Sequence, residues 1–168
     1  MTNRKVLIIT PTEIKNDSVI EENADNKILK ESILLCQDLY LSEILGKTLY
    51  DRVIESIYDF SLSATPIAAD IVALIPYIKK YLLYSVVRDF TINNHYKLSN
   101  KGTFVLSDSN ATPATIKELE YRMSSCDRGI SGYKNLLIEY LTDNDLIVDC
   151  NTDVDFFNNG IYTDFDNE

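Results

Sequence analysis

Histidine and cysteine are scarce in this chain, and its carboxylates, though plentiful, fall mostly on polar faces or near the C-terminus, where paired acid chemistry is not expected. The spacing of these residues works against proton exchange, metal binding and nucleophilic attack. The only histidine, His95, follows a long apolar-periodic segment. Near a helix C-terminus a cation is mildly favoured by the dipole, so His95 reads as a surface or capping residue before it reads as a catalytic base. No serine sits in a G-x-S-x-G elbow, and the five glycines form no phosphate-cradling cluster. Cys36, Cys126 and Cys150 are far apart, without a C-x-x-C pair. Neither a zinc site nor a disulfide framework is expected from them, and Cys36 and Cys126 fall on apolar faces where a thiol packs as a small hydrophobe. Asp149, Asn151, Asp153 and Asp155 alternate like a calcium loop, but Val154 stands where that loop needs glycine and Gly160 where it needs glutamate. The expectation is a protein with no catalytic residue, no cofactor and no metal, and so not an enzyme.

The charge points elsewhere. Asp143 to Glu168 holds eight acids and no Lys or Arg, and so supplies −8 of the chain's formal charge of −10. The same segment carries Phe156, Phe157, Ile161, Tyr162 and Phe165, which a solvated acidic tail does not need. An acidic arm studded with aromatics is suited to lie on another surface, with buried rings supplying energy and carboxylates setting register. The acidic balance argues against tight, sequence-independent DNA binding, which requires cations to displace counterions from phosphate. Only four apolar residues follow the Met1-Thr2-Asn3-Arg4-Lys5 opening, and no stretch approaches the roughly 18 to 20 needed to span a membrane. The chain reads as soluble, made in a cytoplasm, with no membrane partner.

The elements that must position these residues are mostly helical. Val6 to Ile9 is a β-prone run, expected as an edge strand. Thr10-Pro11-Thr12-Glu13 has the cap, proline and capping-box acid of a helix start. A second helix is expected from about Asp25 to Tyr40, with Ile28, Leu35 and Leu39 on one face and Leu29, Ile33, Cys36 and Tyr40 on the next. After a turn at Gly46, a third runs from about Thr48 to Phe60 on the face Leu49, Val53, Ile57 and Phe60. Ser61 to Thr65 reads as loop, and Thr65-Pro66 as the start of a long helix to about Tyr96, kinked near Pro76. Its core face is Ile71, Ile75, Ile78, Leu82 and Val86; Tyr77, Tyr81, Tyr84 and Arg88 form a second stripe, a flank of the core or else a partner surface. Leu98 to Asn110 loses the helical period, and Lys101-Gly102 turns into a short strand or β-hairpin loop.

Thr112-Pro113 then opens the last long helix. Ile116, Leu119, Met123, Cys126, Ile130, Tyr133, Leu137 and Tyr140 alternate spacings of three and four, the seam of a coiled-coil-like pair. The preferred partner for that seam is this chain's own long helix. Gly129 and Gly132 lie within it, either for close approach or as a local break. The fold expected is mainly α: an antiparallel helical bundle of about four to five helices over residues 1–144, with an extended C-terminal arm over 145–168.

The order of these pieces resembles the head–tail connector (adaptor, or neck ring) proteins of tailed bacteriophages, especially those of crAss-like and other Bacteroidetes phages. The resemblance rests on Ile8-Ile9-Thr10-Pro11-Thr12-Glu13-Ile14-Lys15, on Gln37-Asp38-Leu39-Tyr40 followed by Leu45-Gly46-Lys47-Thr48-Leu49-Tyr50-Asp51, and on Asn100-Lys101-Gly102 before a strand. It continues through Tyr133 and Tyr140-Leu141 to Asn159-Gly160-Ile161-Tyr162, spanning most of the chain. It implies a structural virion protein at the neck, assembled as a ring, twelvefold by expectation. Such a ring binds the portal protein on one side and an adjacent ring or tail protein on the other. DNA passes through its channel without specific binding; twelve copies would bring about −120 formal charges together. The partner-binding residues expected are Lys101, Gly102 and Phe104 in the loop, with Phe156, Phe157, Ile161, Tyr162 and Phe165 in the arm. The chief rival is a small acidic helical adaptor or inhibitor that binds a host protein; a metal-dependent enzyme using the tail carboxylates comes third.

Overall fold

The computed structural model describes residues 6–99, 102–105 and 115–146. They form a mainly helical bundle, as the apolar periodicity predicts. Helix α1 spans Pro11–Asp17, capped at Thr10, whose hydroxyl accepts from the Glu13 N–H at 3.2 Å while Glu13 accepts back from the Thr10 N–H at 2.8 Å. Helix α2 spans Asn26–Leu35, capped by the Asp25 carboxylate on the Lys27 N–H at 2.8 Å. A π-helical turn, Cys36–Leu41, joins it to α3, Ser42–Ser63, within which Gly46 takes φ 70°, ψ 158° and breaks the helical path. After Ala64, in the left-handed region at φ 53°, comes α4, Ala69–His95. Strands β1 (Tyr96–Ser99) and β2 (Gly102–Val105) pair antiparallel, Tyr96 opposite Val105 and Ser99 opposite Gly102. Helix α5 covers Ile116–Asp143.

Helix α4 is the element against which α1, α2, the π-helical turn and α5 all pack. Ile71, Leu74, Ile78, Leu82, Val86 and Phe90 are buried along its length, and they form one core with Leu29, Ile33, Cys36, Leu49 and Val53 on one side and Cys126, Leu137 and Leu141 on the other. Pro76 lies inside α4 without ending it. Val72 and Pro76 both face water, so the carbonyl deprived of a donor by the proline ring lies on the hydrated side.

Several expectations need correction. Val6 to Ile9 is not a strand; Ile8 and Ile9 are buried, and the side-chain amide of Gln37 serves the backbone of Val6 and Ile8 instead. Its Nε2 donates to the Val6 carbonyl at 2.7 Å and its Oε1 accepts from the Ile8 N–H at 3.3 Å, the two bonds a neighbouring strand would make. The π-helical turn advances the chain out of the 3.6-residue phase. Within it Leu39 is 58% exposed and Tyr40 is exposed with it, while Leu35, before the turn, lies on the solvent side of α2. Phe60, close to the C-terminal end of α3, is 53% exposed, and Ile54 is buried beside Val53. Residues Ser61 to Ser63 are helical, and α4 begins at Ala69 and not at Pro66. Helix α5 starts at Ile116 under a Thr115–Glu118 capping box; Thr112-Pro113 lies outside the described residues.

Helix α1 is fastened to α4 by an ion pair between Glu13 and Lys79. Burial works against ionising Glu13, but the Lys79 ammonium and the Thr10 N–H and hydroxyl outweigh it and hold the carboxyl below the usual carboxylate range. A depressed carboxylate contributes stability at neutral pH and loses it as pH falls through the depressed value. Glu13→Gln should therefore destabilise the fold at pH 7 by up to about 1 kcal/mol, as expected for a partly exposed pair. Urea melts at stepped pH should show that difference shrinking to nothing in acid.

The two glycines of α5 offer a second test. A Cβ on Gly129 would lie 2.4 Å from Cδ1 of Tyr84, whereas one on Gly132 would meet nothing within 4 Å. Both changes gain the same helix propensity, about 1 kcal/mol over glycine. Gly132→Ala should stabilise by about that amount, and Gly129→Ala should fall below it by about 1–3 kcal/mol of overpacking. Chemical denaturation of the two variants measures the gap directly.

Candidate interaction surface

Helices α4 and α5 form the most extensive pairing in the molecule, and their side chains set its register. Tyr77 stacks on Tyr140 with ring centroids 4.4 Å apart, and Tyr84 stacks on Tyr133 at 5.2 Å. Arg88 pairs with Asp127. Rising numbers on α4 meet falling numbers on α5, so the two run antiparallel. Gly129 lets the Tyr84 ring lie directly on the α5 backbone. The seam predicted for α5 is thus used within the chain, against α4. The Tyr77, Tyr81, Tyr84 and Arg88 stripe is used the same way, Tyr81 going fully into the core.

One strip along this pair is only partly covered by α4. Arg122, Gly129, Tyr133, Leu136 and Tyr140 follow one another at intervals of seven, four, three and four, a single face of α5. Leu136 is 48% exposed and Tyr77 is 37% exposed. The Lys80 ammonium sits over the Tyr133 ring at 5.9 Å from its centroid. The result is a tyrosine-rich face carrying one open leucine and flanking cations. Sequence reasoning placed its tyrosines on the core seam and missed Leu136 altogether. The available signal was an apolar residue beside the seam with no second helix to cover it.

The antiparallel register also fixes where the expected contact segments leave the body. The β1–β2 hairpin follows His95 directly, at the C-terminal end of α4. Gly102 and Phe104 lie on β2, opposite Ser99 and Lys97. At the other end, α5 stops in a Schellman turn: Asp145 takes φ 52°, its N–H bonds the Thr142 carbonyl at 3.2 Å, and the Leu146 N–H bonds the Leu141 carbonyl at 2.9 Å. Leu146 packs back on the core, which brings the chain out beside the N-terminal half of α4. The 27 residues of α4 separate the two ends by roughly 40 Å. Lys101, Phe156, Phe157, Ile161, Tyr162 and Phe165 lie outside the described residues, as do Cys150 and the alternating acids from Asp149 to Asp155.

Chemically, this surface can stack, pair charges and bury apolar groups. Burial pushes the Cys36 thiol up to about 12, reinforced by the nearby Asp89 carboxylate, and raises Cys126 as well, so neither is an activated nucleophile. Tyr50 donates to the Asp38 carboxylate; burial and that acceptor both raise its hydroxyl's pKa. Among the described residues no group of His, Cys, Asp or Glu could hold a metal ion. No helix there is long and apolar enough to cross a membrane.

A family model, "Family of unknown function (DUF6712)", matches residues 41–151, well over half the chain. The chain belongs to DUF6712. The match takes in α3, α4, the hairpin and α5, and therefore the whole tyrosine-rich face of this DUF6712 member. No curated protein and no solved structure matches the chain.

Leu136 and its neighbour Leu137 should respond very differently to truncation. Leu137 is 0% exposed, and Leu137→Ala should cost about 2–5 kcal/mol. Leu136→Ala should stay within about 0.5 kcal/mol of the parent, as surface changes do. Thermal and urea unfolding of the pair provide the comparison.

Proposed function

We propose that this protein is a head–tail connector subunit of a tailed bacteriophage, assembling as a ring at the portal vertex and joining portal to tail. It works in this reading by binding and not by catalysis. The supporting observation is the placement of its contact segments at opposite ends of one stiff antiparallel helix pair. A hairpin leaves one end and the acidic, aromatic segment leaves the other, so a single subunit can engage two different neighbours at a fixed separation. A ring requires such heterologous contacts, one patch meeting a different one. The resemblance of the ordered motifs to connector proteins points the same way, and the net charge of −10 suits a channel along which DNA slides without adhering.

The deciding experiment is a pull-down of the tagged protein from phage-infected cells, with in-situ crosslinking and mass spectrometry. Crosslinks to the portal or to a tail protein, together with its presence in purified particles, are the expected result. Recovery of host proteins alone, with none of the chain in particles, would overturn the reading in favour of an adaptor or inhibitor. Deleting residues 145 to 168 should leave helix content by circular dichroism largely intact while blocking neck assembly. Phe104→Asp should weaken portal capture.

A further inference from the structure

The connector reading needs a joint between subunits, and two patches of this chain complement each other. We propose that the tyrosine-rich face of α4 and α5 receives the C-terminal segment, residues 147–168, of a second copy of the chain. The inference rests on the connector reading and names its subunit–subunit contact.

Four observations carry it. First, Leu136 and Tyr77 are 48% and 37% exposed next to each other's helices, flanked by the partly buried rings of Tyr133 and Tyr140. The segment brings Phe156, Phe157, Ile161, Tyr162 and Phe165 to cover such a surface. Second, cations lie along the middle of the face. Lys80 sits over Tyr133, and Arg122 shares the α5 face with Tyr133, Leu136 and Tyr140, with Glu118 and Asp143 only at its two ends, while the segment holds six acids without a single Lys or Arg.

Third, the reach is sufficient. From Leu146, 22 residues can extend about 70 Å, whereas the face from Arg122 to Tyr140 is only about 27 Å long. The segment can therefore cross to a neighbour and still lie along its whole face. Fourth, the contact is heterologous. The donor patch and the acceptor patch differ, so each copy gives one and receives one, and the joint propagates around a ring in place of closing a two-fold dimer.

The test uses full-length protein with p-benzoylphenylalanine incorporated in place of Leu136, purified as equal parts unlabelled and heavy-nitrogen material mixed before oligomers form. After irradiation, peptides from residues 147–168 should be joined to α5 peptides in mixed-isotope pairs. Substituting Phe156→Ala and Phe157→Ala together should lower that yield about tenfold or more. The same photoreactive residue in place of Tyr77 provides an independent second position. Same-isotope pairs alone would place the segment on its own chain and overturn the proposal. Crosslinks elsewhere, or none from either position at the highest soluble concentration, would overturn it as well. The two readings fail separately. Mixed pairs from a protein absent from particles would keep this contact and remove the connector function; presence in particles with same-isotope pairs would do the reverse.

Discussion

Helix α4 is apolar around too much of its circumference to survive at a surface, and the rest of the molecule answers that constraint. Ile71, Leu74, Ile78, Leu82 and Val86 form a continuous buried row, with Tyr81, Val87 and Phe90 widening it. A row that wide cannot be covered by one neighbour. Helices α1 and α2, the π-helical turn and α5 are therefore walls around a single rod, and α5 is the wall with the closest fit. Its approach depends on Gly129, because any side chain there would occupy the space taken by the Tyr84 ring. The stacked tyrosine pairs follow from that spacing and hold the helices in one register.

The N-terminal wall is built differently. Residues 6 to 9 bury Ile8 and Ile9 without a strand partner, which would leave backbone donors and acceptors stranded in an apolar setting. Gln37 solves this with a primary amide, the one side-chain group that offers a donor and an acceptor in the geometry of a peptide. It is itself buried, and both its groups are engaged. Lys15 does comparable work in the following loop, donating to the carbonyls of Glu22 at 2.7 Å and Ala24 at 2.8 Å. Leaving such groups unpaired costs about 1–3 kcal/mol each, so these few side chains decide whether the opening segment docks at all.

What could be read in the sequence divides along the range of the interaction. Capping is local, and Thr10-Pro11-Thr12-Glu13 was legible for that reason. Thr65-Pro66 has the same first two residues but Ala68 where the box needs an acid, and no helix starts there. Thr115-Ile116-Lys117-Glu118 has the acid without the proline and does start one. The reciprocal bond from the third helical residue was the discriminating signal, and proline at the first position only permits a helix. The α5 seam was legible because its period is unbroken across eight apolar positions. Tyr40 was misplaced because its face was projected through Cys36–Leu41, where the backbone leaves the α-helical phase, whereas Leu35 and Phe60 lie at the ends of α2 and α3 on sides that no other element covers. Nothing in residue types alone announces a π-helical turn. The open face was half visible: its tyrosines stood out, whereas Leu136 gains meaning only when α5 is seen to be covered on one side.

The DUF6712 match begins at Leu41, so it includes the α4–α5 joint and leaves out both α1 and α2. The physical demands on the two walls differ in the same way. Covering the α1 and α2 side of α4 is chiefly a matter of apolar area, and area can be supplied by many sequences. The α5 side requires a missing Cβ at one position, two ring stacks at fixed register and an ion pair, and few sequences meet all of these. Those contacts hold α4 and α5 in one register and so set the hairpin and the end of α5 at opposite ends of the pair. In the proposed ring that register would fix the separation of two different contacts. Leu136 is exposed beside the joint and takes no part in closing it, so under the same proposal a neighbour would bury it without disturbing the core.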